Sequence, residues 1–531
     1  MTINSVEPTF GLVDAVETHL SMLFLTPDRV YKQLKPVDAG FVSFVDRPAR
    51  LAQTSREFEL NRRISPEVYL ALTDVVGHGR TVERLIVMRR LPEDRQLDRC
   101  IDRPDLPDRL RAVARFIAAF HARQQPIIGA AAAGATAARL RARWEENLDV
   151  LRPLAGTIIP ADQYAEVWRL ADRFIAGRDP LLTERISGGR VVDGHGDLRA
   201  EHVFVLDDGP QVIDCVAFRD DFRIGDVLND VAFLVMDLHR LAGSAVAARF
   251  IRDYDEFSNE HHPSTLAHHY VAYRAHVRAK IAAIRFAQGD RGAAAEVGRY
   301  HDLALHHLRL GQVRLIVVGG GPGTGKSTVA DGLARRIGAV WLRTDEIRKG
   351  LAGVGADDHL PADAGEGIYR DEFSGRVYDE LLHQADSLLT RGESVVLDAT
   401  WADAARRADL RLLAERTAAT LTELRCVAPV DIAKARILQR SSATHNPSDA
   451  TPDIADHIAA RFDDWPEAIT VDTTEPPPAT VVAAQEAVVA PTISSSDPSD
   501  PLRPRRSGQR QVADPLAIDH EAIWFLLVQR R

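Results

Sequence analysis

The strongest chemical signature in the chain is the run Gly320, Gly321, Pro322, Gly323, Thr324, Gly325, Lys326 and Ser327, closed by Thr328. It matches G-x-x-x-x-G-K-[ST] and sits between an apolar stretch, VRLIVV, and a helical one, STVADGLARRI. In that setting the glycines let backbone N–H groups converge on phosphate oxygens, and the following helix adds the partial positive charge of its N-terminus. Lys326 is then the cation for the β- and γ-phosphates, and Ser327 is a ligand for Mg²⁺. The chemistry implied is binding of ATP with its metal.

Three further features extend that site. In RTDEIRKGL, Asp345 and Arg348 are three residues apart on the first turn of a helix, which suits activation of a substrate hydroxyl and clamping of a phosphate. SVVLDATW ends an apolar strand with Asp398, where a carboxylate would organise Mg²⁺ and water. Arg436 and Arg440, spaced i and i+4, share a helix face ahead of SSATHNPSDAT, a segment fit to close over the transferring phosphoryl group. A second constellation lies upstream. DGHGDLRAEHVFV carries His195 and Asp197 in a tight turn, and VIDCVAF carries Asp214 on a neighbouring strand end. One of these carboxylates can accept or orient a hydroxyl proton while the other holds Mg²⁺.

The elements that must position these groups divide the chain in two. Met22 to Leu34 reads as a hairpin about Thr26-Pro27-Asp28, SREFELNRRIS as a helix, and Arg84 to Leu91 as a strand, which together make a small mixed lobe. Residues 105 to 180 read as helices, 190 to 237 as short strands, and helices return to about 310. From Val313, buried-strand patterns (VRLIVV, AVWLRTD, SVVLDAT, LTELRCVA, EAITVDT) alternate with helices, as in a doubly wound parallel sheet ending in a helix at 480–489. The expected division is 1–310, 311–490 and a disordered tail at 491–531. A boundary near Gly311 suggests units that fold independently.

Composition narrows the function classes. The chain has 531 residues, 45% apolar and 27% charged, so most of it should fold. Its net charge of −10 argues against nucleic acid and anionic membrane as partners. Three scattered cysteines cannot make a disulfide framework, and no run approaches the ~18 uncharged apolar residues of a membrane helix. With an N-terminus lacking a basic and then apolar leader pattern, a soluble cytoplasmic protein is expected.

GGGPGTGKST, RTDEIRK and VVLDATW make residues 313 to about 490 similar to the small P-loop kinases grouped with gluconate kinase and adenylylsulfate kinase. That resemblance implies that Asp345 takes the substrate hydroxyl proton and that Arg348 binds an acidic group on the substrate. The HGD turn, the I-D strand and the small lobe resemble aminoglycoside phosphotransferases and other kinases of the protein-kinase-like fold. By that resemblance Asp197 is the catalytic Asp, Asp214 the Mg²⁺ ligand, Lys32 the lysine for the α- and β-phosphates, Glu57 its helix partner, and Met88 to Pro92 the hinge at the adenine. Asp226 and Asp230 would brace the catalytic loop. His202 stands where the pattern has a metal-binding Asn, so imidazole, water or nothing makes that contact. No Gly-rich nucleotide loop precedes Lys32.

The order of the two regions, with LNRRISPEVYL after the lysine segment, closely resembles a bacterial family described as bifunctional aminoglycoside phosphotransferase-like/ATP-binding protein, common in actinobacteria. The implied fold is α/β and α+β in two domains: an N-terminal bilobal protein-kinase-like domain and a C-terminal P-loop kinase domain. The implied activity is ATP-dependent phosphoryl transfer to small hydroxylated molecules. Two other readings stay open: an N-terminal sensor domain that controls the P-loop kinase, and a nucleotide-binding signalling protein without turnover. The stretch holding His261, His262, His268, His269 and His276 reads as a surface helix rather than a metal site. On it, Arg274 and Arg278, with Lys280 nearby, form either an anion-binding group or a solvated face.

Overall fold

The computed structural model describes residues 14–18, 20–38, 43–77, 79–355, 370–440 and 452–489. The tail expected at 491–531 and the SSATHNPSDAT segment lie outside the described residues. The first lobe is a five-stranded antiparallel sheet in the order β1-β2-β3-β5-β4. Its strands are β1 (Asp14–Glu17), β2 (Ser21–Leu25), β3 (Arg29–Leu34), β4 (Tyr69–Gly77) and β5 (Arg80–Arg89). Helix α1 (Arg47–Arg62) packs against this sheet. It begins one turn and more before the expected SREFELNRRIS, because Asp46 caps it by accepting the Ala49 N–H at 2.9 Å and Pro48 fits its first turn. Strand β4 went unpredicted; register shifts at Tyr69/Ala71 and Val75/Val76 break its alternation.

The helical lobe comprises α2 (Leu106–Ala122), α3 (Ala137–Leu151), α4 (Ala161–Ala176) and α5 (Asp179–Ser187), then α6 (Val227–Ala242), α7 (Ser244–Ser258), α8 (Ser264–Ala287) and α9 (Ala293–Leu310). Between α5 and α6 run two short ribbons, β6 (Val191–Asp193) with β9 (Ile224–Asp226) and β7 (Val203–Leu206) with β8 (Gly209–Val212). The His-rich helix corrects the surface reading. It is α8, packed on α3, α6 and α9, with His269 and His276 at 1% and 0% exposure among Trp144, Phe174 and His301. Arg274, Arg278 and Lys280 are buried as well. Imidazoles and long cationic side chains look like surface residues in sequence, but a central helix takes partners on every side.

The second domain is a five-stranded sheet in the order β11-β12-β10-β13-β14 with every neighbouring pair parallel. Its strands are β10 (Arg314–Gly319), β11 (Val340–Arg343), β12 (Val395–Asp398), β13 (Thr420–Val427) and β14 (Ile469–Asp472). The crossovers carry α10 (Lys326–Ile337), α11 (Thr344–Ala352), α12 (Asp371–Thr390), α13 (Ala404–Arg416), α14 (Val430–Arg440), α15 (Pro452–Ala460) and the closing α16 (Pro477–Val489). Buried Leu315, Val317, Val395 and Leu397 on one sheet face belong to the same apolar cluster as the helical lobe, while Ile316, Val318, Val396 and Leu424 on the other face pack with α10 and α16. At the junction Arg173 donates to the carbonyls of Ala418 and Ala419, and the fully buried Arg178 donates to that of Thr417 at 2.9 Å. Thr265 Oγ1 donates to the Gly392 carbonyl at 2.6 Å. A Cβ on Gly177 would collide with the Thr417 backbone.

Candidate active sites

In the N-terminal domain Lys32 lies on β3, Glu57 on α1, and Asp214 just past β8. The ammonium of Lys32 stands 2.7 Å from Glu57 Oε1 and 2.9 Å from Asp214 Oδ1. Burial works against charge on the lysine, but Asp214 and Glu57 outweigh it and hold its pKa well above the ordinary value. Burial likewise opposes ionisation of Asp214, yet Lys32 keeps its pKa down at about 2. The Asp214 backbone is in the left-handed region, φ 60°, a conformation few non-glycine residues adopt. Neighbours from the first lobe hold it there. Its N–H donates to Tyr69 Oη at 3.1 Å, the next N–H, of Cys215, donates to Asn61 Oδ1 at 2.8 Å, and that of Val212 donates to Ser65 Oγ at 2.9 Å.

The loop after β6 holds Asp197, fully buried, and is bonded to the Asp214 segment through the Ile213 N–H to the His202 carbonyl and the Val216 N–H to the His195 carbonyl, each at 3.0 Å. Asp230 on α6 accepts the N–H groups of His195 at 2.7 Å and Gly196 at 2.8 Å, and His121 Nε2 lies 3.1 Å from it. Asp226 caps α6 through the Leu228 N–H and pairs with Arg185. Burial lowers the His195 pKa to about 4, so its ring is neutral near pH 7. Its Nε2–H donates to the Ile213 carbonyl at 2.9 Å and its Nδ1 accepts the Asp197 N–H at 3.2 Å. The carboxylate of Asp197 is held by Arg199 in a fork, 3.0 Å from Nε to Oδ1 and 3.2 Å from Nη2 to Oδ2. His202 donates from Nδ1 to the Asp197 carbonyl at 2.8 Å, so its remaining lone pair, on Nε2, faces Arg199 Nη2 at 3.4 Å.

The P-loop bridges β10 and α10. Gly320, Gly323 and Gly325 have φ of 141°, 79° and 84°, and a Cβ on Gly323 would strike the Ala433 backbone. Thr473 at the end of β14 pins the loop by donating to the Thr324 carbonyl at 2.7 Å. Arg436 on α14 donates to the Thr473 carbonyl at 2.7 Å and reaches the Gly323 carbonyl. Asp398, at the end of β12, is buried beside Lys326, Ser327, Asp345 and Arg343. Burial raises its pKa, opposed by Lys326 and by a hydrogen bond from Ser327, and its Oδ1 has no hydrogen-bond partner. A buried carboxylate oxygen without a partner, next to a hydroxyl, fits a hard divalent cation, and a loop in which Gly320 and Gly323 leave no room for Cβ atoms fits phosphate oxygens. Arg348 on α11 reaches Ser374 Oγ at 3.1 Å. Arg440 closes α14, and its side chain lies outside the described residues.

The structure thus brings Lys32, Glu57 and Asp214 together, with His202 near enough to act on Asp214 and the Asp214 segment bonded to the loop that holds Asp197, and gathers Lys326, Ser327, Asp345 and Asp398 at a second point. Sequence reasoning missed Arg199, whose only signal is a charge two residues after Asp197. It also missed Tyr69, Asn61 and Thr473, which act through bonds to backbone groups far away in sequence and leave no pattern of their own.

Residues 30–267 match the model of the phosphotransferase enzyme family, and residues 315–464 match that of an AAA domain. The uncharacterized proteins Rv2004c of Mycobacterium tuberculosis and Mb2027c of Mycobacterium bovis are each 38% identical over 467 residues, covering 87% of this chain and 93% of theirs. Among solved structures, a choline/ethanolamine kinase family protein from Mesorhizobium loti is 16% identical, covering 58% of this chain and 96% of its own, with a TM-score of 0.37. A gluconokinase from Sinorhizobium meliloti is 20% identical, covering 33% and 91%, with a TM-score of 0.25. The two matched domains make the chain a kinase-like phosphotransferase that binds nucleotide. At this identity and coverage it belongs to the family of these mycobacterial proteins, as a member whose phosphotransferase domain is followed by a P-loop AAA domain.

Proposed function

We propose that the protein is an ATP-dependent phosphotransferase with two nucleotide sites, at 1–310 and 311–490, each moving a γ-phosphoryl group to the hydroxyl of a small molecule. The observation that carries this reading is the Lys32 ammonium set between Glu57 and Asp214, since it supplies a phosphate cation and a metal carboxylate at one point. Asp214 in one domain, and Ser327 with Asp398 in the other, would hold Mg²⁺, which when bound neutralises charge on the phosphates. Asp197 and Asp345 would take the acceptor's hydroxyl proton, and Lys326, Arg348 and Arg436 would orient phosphate oxygens. Catalysis is then mainly positioning and electrostatics. Three buried free thiols suit work in a reducing cytoplasm.

One observation favours the sensor reading of the N-terminal domain: His202 Nε2 faces the Arg199 guanidinium at 3.4 Å, a cation where the usual pattern has a metal-binding amide oxygen. Labelled ATP and a metabolite extract, given to the full chain and to its Asp197→Asn and Lys326→Ala variants, separate the two. Two sets of labelled products, each lost in one variant, are expected. Products lost only in Lys326→Ala would make the N-terminal domain a sensor, and no product with any form would overturn both activities.

A further inference from the structure

Beside the catalytic loop is a cavity of about 40 Å³, room for a few water molecules, bounded by Gly196, Asn229 on α6, Arg143 on α3, and Arg274 and Lys280 on α8. Its carboxylates are already engaged. Asp230 holds the His195 and Gly196 amides, and Asp226 is paired with Arg185. Two of its cations, Arg143 and Arg274, are not matched in the same way, whereas Arg223 pairs with Asp193 and Asp220. Arg143 donates to the carbonyls of Gly134 and Asp221, and Arg274 donates from Nε to that of Asn229 while lying 4.8 Å over the Phe233 ring. Among the described residues neither guanidinium forms an ion pair with a carboxylate, although both are buried. Buried charge of this kind is costly unless an anion offsets it. Asn229 Oδ1, also buried, has no hydrogen-bond partner and can accept one from a hydroxyl.

We propose that this cavity receives the anionic group, carboxylate or phosphate, of a hydroxylated acceptor, so that the N-terminal domain acts on anionic alcohols. Burial pushes the Arg274 guanidinium below its ordinary pKa, and a bound anion would oppose that. The reaction rests on the phosphotransferase reading above; the binding does not. In the transfer, the acceptor oxygen bonds to the γ-phosphorus as the bond to the β–γ bridging oxygen breaks. The hydroxyl proton passes to Asp197, and the nucleoside diphosphate leaves.

The test titrates inorganic phosphate, glycerol 3-phosphate, glycerate and choline by calorimetry into the full chain carrying Lys326→Ala, with Mg²⁺ and a non-hydrolysable ATP analogue saturating. Binding of phosphate-bearing or carboxylate-bearing probes, weakened about tenfold or more by Arg274→Gln and by Arg143→Gln and largely kept by Arg274→Lys, supports the site; which probe binds tells phosphate from carboxylate. Circular dichroism and thermal unfolding establish that each variant is folded. Choline binding without anion binding, no binding of any anion, or anion affinity unmoved by either Gln variant overturns it. With ATP in place of the analogue, label on the bound anion that Asp197→Asn abolishes supports both readings. Arg274-dependent anion binding without transfer upholds the subsite and overturns the phosphotransferase reading.

Discussion

In the N-terminal site three charged groups arrive from three elements of two lobes and meet one another, Lys32 against Glu57 and Asp214, before any nucleotide is involved. In the P-loop site one short loop does most of the arranging through backbone conformation, and the central carboxylate, Asp398, keeps an oxygen with no partner. The contrast shows two ways of preparing for the same anion. A site built of mutual ion pairs is stabilised by its own charges, whereas a site built on a buried, incompletely paired carboxylate is destabilised until its ligand comes.

The largest expected effect is on turnover. Lys326→Ala should lower phosphoryl transfer by the P-loop domain at least about 100-fold with the fold intact, because the lost cation faces phosphate rather than core; steady-state kinetics of the full chain and circular dichroism check both halves. Gly323→Ala should follow closely, abolishing nucleotide binding at that site in a fluorescent-ATP titration, since its φ of 79° and the Ala433 backbone leave no place for a methyl group. The sharpest test of the comparison is a pair of neutralising changes measured without nucleotide near pH 7. Asp214 has its pKa lowered by folding, so its pairing stabilises above the unfolded carboxylate value of ~3.9 and is lost as pH falls toward about 2. Asp398 has its pKa raised, so its ionised form costs stability at neutral pH. Asp214→Asn should therefore lower the melting temperature by a few degrees and Asp398→Asn should raise it slightly. Shifts of the same sign would remove the distinction drawn between the sites. The smallest effect expected is a few-fold rise in the ratio of Mg²⁺- to Mn²⁺-supported turnover with His202→Asn, because an amide oxygen is the harder ligand.

How much of this was legible beforehand depended on whether a residue belongs to a local pattern. The P-loop, the strand-end Asp398 and the HGD turn were visible because glycines, apolar runs and carboxylates recur at spacings that only a few backbone geometries need. The parallel sheet was visible for the same reason, as was the place of Asp345 on the first turn of a helix; only the strand end differs, since AVWLRTD reads as one strand while β11 stops at Arg343 and Thr344 begins α11. What stayed hidden is long-range. That Tyr69 and Asn61 grip the Asp214 segment follows from a lobe-to-lobe packing no spacing reveals. The burial of α8 was misread because His269 and His276 are polar types whose neighbours come from α3, α6 and α9.

The arginines at the domain junction bear on how the molecule opens. Arg178 has no exposure and burial lowers its pKa to about 9, yet its partner across the junction is a backbone carbonyl of the turn that leads into β13, so separating the domains breaks that bond. The apolar cluster running from the helical lobe under the sheet adds to the same constraint. In native-state hydrogen exchange, amides of α4 and of β13 should therefore share one opening free energy, as a single cooperative unit that crosses the domain boundary, while the outer strand β1 exchanges far sooner.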